Sequence, residues 1–446
     1  MHNYLFVYSF IHFYFPLQNQ TLPNLLHICS ANERMAAIPG LSDRLRLFML
    51  PEYRLQGMEL KNEEIEKYSG TKYEPVFTVL SRKAEPKAVG TAESIFGLLT
   101  VISTFATCFM FATEVNSLNP DFLAKAMTAA SGSVDGAAVT VEALVAGREV
   151  VGRLLPIVFG LVGLQVSHDL GHYIAAKSHD TKISLPYFIP SLQIGIFGSI
   201  TNFLTFPKTR KAMFDISIAG PALGFTFSLL ATLYGLSITA VSSPEVLATY
   251  PALPAAFLDS SFLLHELVDQ FLHTSTALVS TPAITSVHPL VAVGMTGLLT
   301  NAFNFLPIGR LDGGRVAMAV GGRQSANSIA FITLIGQAVM FLTNASPISF
   351  FWILVVVFLQ RGADIPSEDD VTPIASTADD EKKGPAWLGR LATLIFCIGL
   401  TGATITPVPV PYDQQPVVQT LAPAPSQAPG ASSILQGLPV GKPNEI

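Results

Sequence analysis

The chain has 446 residues, half of them hydrophobic and only 13% charged, where soluble domains carry roughly a quarter charged residues; this excludes an ordinary soluble enzyme. The net charge of −6 is spread along the chain without a basic stripe, which excludes a nucleic-acid reader. The three cysteines, Cys29, Cys108 and Cys397, lie far apart, which excludes a CxxC pair and a disulfide framework.

Residues 1–39 read as a targeting or disordered segment. Their start, "MHNYLFVYSFIHFYF", is apolar and aromatic without the basic opening of a signal peptide, and Met35 offers an alternative start. Residues 40–92 read as a small α+β soluble region, with "LKNEEIEKYSG" as a helix and "YEPVFTVLSRK" as a strand. A membrane core is expected over 93–362. Its first span runs over about Ser94–Thr113, followed by a polar, Gly/Ala-rich loop to Arg153 and a second span over about Leu154–Ala176. Ile183–Phe206 is apolar but interrupted by Pro186, Pro190, Gly195 and Gly198, so a straight helix is disfavoured and a re-entrant hairpin packed on protein is expected. Further spans cover about Met213–Val241 and His288–Phe305, and two short runs cover about Ile329–Leu342 and Ile348–Gln360. An acidic loop (363–390) leads to a last helix, 391–406. The tail 407–446 holds nine prolines, a composition that cannot bury a core.

Basic residues orient these spans. Residues 34–92 carry ten Lys and Arg, the 114–147 loop only Lys125, and the 242–287 loop none. Arg310, Arg315 and Arg323 return the chain to the basic side. The fold class expected is therefore an all-α polytopic membrane protein of about seven spans, N-terminus inside, with a re-entrant hairpin and a small α+β soluble region.

Inside the second span lies "VSHDLGH". A four-residue spacing puts His168 and His172 on one helix face, with Asp169 on its rim. Ionisable groups in a bilayer are costly and usually functional. The string nearly matches the zinc-protease pattern H-E-x-x-H but has Asp where that pattern has Glu. His168 sits roughly 21 Å along a span that enters from outside. The fourth apolar span also enters from outside and ends in "NAFNFLPIGRLDGGR", so Asp312 arrives at the same depth, followed by Gly313 and Gly314, where the backbone can turn sharply. Two histidines and a carboxylate form a three-ligand set for catalytic zinc with a fourth position left for water.

"HDLGH", the broken "ISLPYFIPSLQIGIFGSIT", "DISIAGP" and "NAFNFLPIGRLDGGR" occur in that order. Over about residues 94–362 the chain resembles the site-2 intramembrane metalloproteases, most closely their plastid branch, the ethylene-dependent gravitropism-deficient and yellow-green proteases. The resemblance implies Zn2+ held by His168, His172 and Asp312. It also implies an endopeptidase that cuts transmembrane protein substrates near the basic (stromal or cytosolic) face, and a home in a plastid membrane, thylakoid or envelope. Two departures stand out: Asp169 replaces the family's Glu, and the family's N-terminal "GNLRG" has no clean counterpart beyond "EYRLQG".

Asp169 is able to act as general base, but its stem is one methylene short, and a misplacement of roughly 1 Å can cost about 10²-fold in rate. Two readings follow: a weakened protease, or an inactive pseudoprotease that binds membrane partners in a chaperone-like way. Asn202, in the broken segment, is a candidate to bind substrate by donating to the developing oxyanion. An edge in the same segment is a candidate to pair with unwound substrate. None of the nine histidines forms an HxxHH box, which argues against a di-iron desaturase. A transporter would not explain the convergence of His168, His172 and Asp312. "HELVDQFLH" sets His265, Asp269 and His273 four apart and reads as the solvated face of an amphipathic helix.

Overall fold

A computed structural model describes residues 12–13, 45–53, 73–81, 90–134, 140–258, 261–273, 284–342, 347–360 and 364–370, with isolated positions between 399 and 404. Near the N-terminus, β1 (His12–Phe13), β2 (Leu45–Tyr53) and β3 (Tyr73–Ser81) form an antiparallel sheet in the order β1-β3-β2, with Leu45 opposite Ser81. The strand expected at 73–83 is thus β3. The helix expected at 60–70 lies outside the described residues, as does nearly all of 371–446, which includes the expected last helix and tail.

The rest is mostly helical. The helices are α1 (Thr91–Ser117), α2 (Pro120–Val134), α3 (Val141–Ser178), α4 (Arg210–Val241), α5 (Phe262–Val268), α6 (Pro289–Asn304), α7 (Asp312–Leu342) and α8 (Pro347–Val355). Among the described residues four of them, α1, α3, α4 and α7, are long and apolar enough to cross a membrane. Their outward faces carry exposed Ile95, Phe96, Leu99, Phe159, Leu230, Phe331 and Ile332, the surface expected to meet lipid rather than water.

Two elements differ from expectation. Among its described residues the loop expected up to Arg153 is largely helical: α2 covers Pro120–Val134 and α3 starts at Val141, where the Thr140 side chain accepts from the Ala143 amide at 3.2 Å. An ion-pair chain ties the two helices: Asp121 bonds Arg153 and Lys125, and Lys125 reaches Glu149 at 2.5 Å. The Arg153 hydrogen bond holds the Asp121 carboxyl below its ordinary range. The second difference is α7, which is broken at Gly322 (φ +77°). Its first part is buried, and its second turns Phe331, Ile332, Ile335 and Val339 outward.

The core is α6, every residue of which from Val291 to Asn304 is buried. A helix apolar all round has no face to give water and must be surrounded. It packs on α3 and α4 (Val293 faces Gly160, and Thr232 and Ser228 face Gly294) at distances that leave no room for a β-carbon at either glycine.

Residues 183–206 fold as a β-hairpin, β4 (Tyr187–Ser191) and β5 (Gly195–Ile200), with a register shift between Ile189 and Pro190. Gly195 (φ +80°) and Gly198 (φ +123°) take backbone conformations that side chains rarely adopt. A lone hairpin among apolar helices leaves carbonyls needing donors. Helix side chains supply them: Thr107 to Gly195 at 2.6 Å, Thr300 to Ile196 at 3.2 Å and Asn304 to Phe197 at 3.3 Å.

Candidate metal centre

His168 and His172 stand one turn apart on α3, both buried. Their position depends on close approach of α4. Gly171 lies so near the α4 backbone that an added β-carbon would sit 2.3 Å from the Ala219 carbonyl oxygen. Gly220 lies equally near the His172 ring, 2.2 Å from Nε2 by the same measure. The glycines of "HDLGH" and "DISIAGP" therefore face each other: Gly171 lets the two backbones approach, and Gly220 leaves room for the His172 ring.

Each histidine is oriented through its Nδ1. His168 Nδ1 lies 2.8 Å from Asn301 Oδ1. The Asn301 amide nitrogen donates to the Gly297 carbonyl at 2.8 Å, so the amide oxygen is the atom turned to the ring and His168 Nδ1–H donates to it. His172 Nδ1 lies 2.8 Å from the Ile216 carbonyl oxygen, which only accepts. In the neutral rings both Nε2 atoms are then bare, and they face each other at 3.0 Å.

Asp312 closes the triangle. It begins α7, with Oδ2 3.2 Å from His168 Nε2 and Oδ1 3.3 Å from His172 Nε2. Gly313 and Gly314 do not make the sharp turn; the left-handed residue is Gly309 (φ +52°). Their role is space, since a β-carbon on Gly313 would lie 1.8 Å from the Phe305 carbonyl oxygen and one on Gly314 2.4 Å from that of Gly309. Without them α7 could not start so close beneath α6.

The donor set decides what fits here. Two imidazole nitrogens and a carboxylate converge with all ligand atoms within 4.8 Å, and between two neutral rings held in this tautomer no proton offsets the repulsion of the facing nitrogens. A shared cation resolves this, and two neutral imidazoles with one carboxylate suit zinc with one position left open. The Nδ1 partners, Asn301 and the Ile216 carbonyl, match the usual way outer groups orient such ligands. Among the described residues no other group of three His, Cys, Asp or Glu side chains converges in this way.

Asp169 is buried beside the triangle. Its Oδ1 accepts from the Ser199 hydroxyl of β5 at 2.5 Å and from the Gln165 amide at 3.3 Å. Gln165 also bonds Ser199 at 3.1 Å. Asp169 Oδ2 is buried without a protein hydrogen-bond partner among the described residues. Asn202 joins none of these groups by a hydrogen bond among the described residues; its backbone pairs with Ser184 through the amide (3.0 Å to Oγ) and the carbonyl (2.8 Å from the Ser184 amide).

Residues 156–343 match the model of Peptidase family M50. The chain carries a peptidase family M50 domain. His168, Asp169, His172 and Asp312 all fall within the M50 match. Among curated relatives, a probable zinc metalloprotease EGY1, chloroplastic, of Oryza sativa subsp. japonica is 30% identical over 373 residues, covering 82% of this chain and 60% of that protein. EGY1 of Arabidopsis thaliana is 34% identical over 226 residues, covering 51% of this chain and 40% of that protein. EGY2 of Arabidopsis thaliana is 31% identical over 233 residues, covering 52% and 39%. The chain thus spans about 60% of the first relative's length and about 40% of the other two. No solved structure matches.

Sequence reasoning missed Gln165, Ser199, Asn301 and the Ile216 carbonyl. Gln165 was legible, lying four residues before Asp169 on the same helix face. Asn301 is one of two buried asparagines in a largely apolar helix, also a usable signal. Ser199 and Ile216 meet the motif only through the tertiary fold and leave no local trace.

Proposed function

We propose that the chain is a membrane-embedded zinc endopeptidase that cleaves transmembrane protein substrates near its basic face, in a plastid membrane. His168, His172 and Asp312 are the ligands in this reading. The observation that carries it is the pair of bare Nε2 atoms 3.0 Å apart with a buried carboxylate across them. The names of the relatives, zinc metalloproteases and chloroplastic, support the metal and the location. Bound zinc would supply an acidified water and polarise the scissile carbonyl.

Asp169 acts as general base in this reading. Ser199 and Gln165 hold one of its oxygens, and the other is free to take a proton from water and later give it to the leaving amine. Peptide hydrolysis needs an extended substrate, and the β4–β5 hairpin, which brings Ser199 to Asp169, offers strand edges for pairing. We place this hairpin as re-entrant, within a topology of about seven spans with the N-terminus on the basic side. Asn202 retains a role in binding substrate on the rim of the hairpin.

A second reading is favoured by the short Asp169 stem: a metal-loaded pseudoprotease that binds membrane partners without cutting them. The test is turnover of a model transmembrane substrate by purified wild type, Asp169→Glu and Asp169→Ala. The protease reading expects Ala to lose at least about 10²-fold and Glu to match or exceed wild type. Wild-type turnover no higher than that of Ala, with zinc present, would establish the pseudoprotease.

A further inference from the structure

Residues 364–370, "DIPSEDD", fall in the stretch expected as an acidic loop. They are buried: Asp364, Ser367, Glu368, Asp369 and Asp370 are each less than a tenth exposed. The segment lies outside the M50 match, which ends at residue 343. It packs against the entry to α4 and against α7. Asp369 bridges in parallel to Thr209, whose side chain caps α4, and the Glu368 amide donates to the Pro207 carbonyl at 2.8 Å. Asp370 takes a hydrogen bond from Arg323 at 3.1 Å. Ile365 packs on Ala176, Phe203 and Ile216, and Ile216 is the residue whose carbonyl orients His172.

The decisive contact is at Arg315. This buried side chain pairs through Nε with Asp364, donates from a terminal nitrogen to the Thr201 carbonyl at 2.6 Å, and stacks over Phe203 at 4.7 Å. Arg315 is also the first residue after Asp312 with a side chain, because Gly313 and Gly314 intervene. Before Asp312 the turn is held by buried apolar Ile308 and Leu311, and after it Arg315 is the first polar anchor. Thr201 follows Ser199, the residue that holds Asp169, by two positions. One side chain, Arg315, therefore ties the start of α7 that carries Asp312 both to the 364–370 segment, through Asp364, and to the strand exit that follows Ser199, through the Thr201 carbonyl.

We infer that the 364–370 segment is a strap that positions the metal centre: Asp364, acting through Arg315, sets the place of the Asp312 carboxylate against His168 and His172. Asp364 and Arg315 are positioning residues and touch neither metal nor substrate. The inference rests on the reading of His168, His172 and Asp312 as metal ligands.

The test measures zinc affinity of the full-length protein in detergent by chelator competition, with thermal unfolding in parallel. Two variants are compared with wild type, Asp364→Ala and the paired Arg315→Met with Asp364→Leu. Asp364→Ala strands a buried guanidinium and is expected to lower both Tm and affinity. The paired variant removes both charges, which usually leaves stability near its starting value. It is therefore expected to recover Tm while still binding zinc at least about 10-fold more weakly, the scale of loss seen when outer support of a ligand is removed. A paired variant that binds zinc within about twofold of wild type overturns the inference, as does an Asp364→Ala protein that loses Tm alone. Absence of zinc binding in wild type would instead sink the underlying metal reading, a distinguishable result.

Discussion

Replacing Gly171 by alanine tests the geometry at its tightest point. The new β-carbon would lie 2.3 Å from the Ala219 carbonyl oxygen, 2.8 Å from its carbon and 3.0 Å from Gly220 Cα. All three are backbone atoms and cannot swing aside. Comfortable contact needs roughly 3.5 Å, so α3 and α4 must part by about 1 Å. Overpacking of this kind costs about 1–3 kcal/mol. The next residue is His172, whose Nδ1 bond to the Ile216 carbonyl spans the same interface at 2.8 Å; a further 1 Å takes it out of hydrogen-bonding range. Both Tm and zinc affinity should fall, the latter by about 10-fold or more. Gly163 is the matched control on the same helix, with nothing within 4 Å of an added β-carbon. Alanine there should leave Tm unchanged or slightly raised, since alanine is the better helix former by about 1 kcal/mol. Thermal unfolding and chelator competition on the two variants give the answer. Equal behaviour of Gly171→Ala and Gly163→Ala would refute the reasoning.

Asn301→Ala removes the acceptor for His168 Nδ1–H and should weaken zinc binding about 10- to 100-fold in a competition titration, with Asn301→Asp restoring most of it. Ser199→Ala frees the Asp169 oxygen it holds and should cut kcat on a transmembrane substrate by roughly 10- to 100-fold while zinc content stays at the wild-type level. The depressed Asp121 carboxyl sits below its ordinary 3.8 because of its Arg153 hydrogen bond. Its support of the α2–α3 contact is thus complete above that pH and lost as pH falls below it. Circular-dichroism melts at about pH 6 and about pH 3 should show a smaller acid loss for Asp121→Asn than for wild type.

The sequence exposed what depends on local period. A four-residue spacing on one helix placed His168 and His172 together, and long apolar runs marked α1, α3 and α4 within a few residues at most boundaries. Paired motifs 140 positions apart were joined by a topological argument about depth, which brought Asp312 to the histidines. Features set by packing were hidden. Gly313 and Gly314 suggested a turn, whereas their function is the absence of a β-carbon beneath Phe305 and Gly309. The 114–147 region looked polar and open, yet α2 forms because its charges find partners on α3. The acidic 364–370 segment read only as part of a loop, because nothing local announces that Arg315 and Arg323 pair with it.

The central claim is that three side chains from two distant helices share one divalent ion. Metal analysis of the purified full-length protein tests it most directly. Wild type is expected to hold about one zinc per chain, and His168→Ala and Asp312→Ala close to none. A wild-type protein without metal, or ligand variants that keep a full complement, would contradict it.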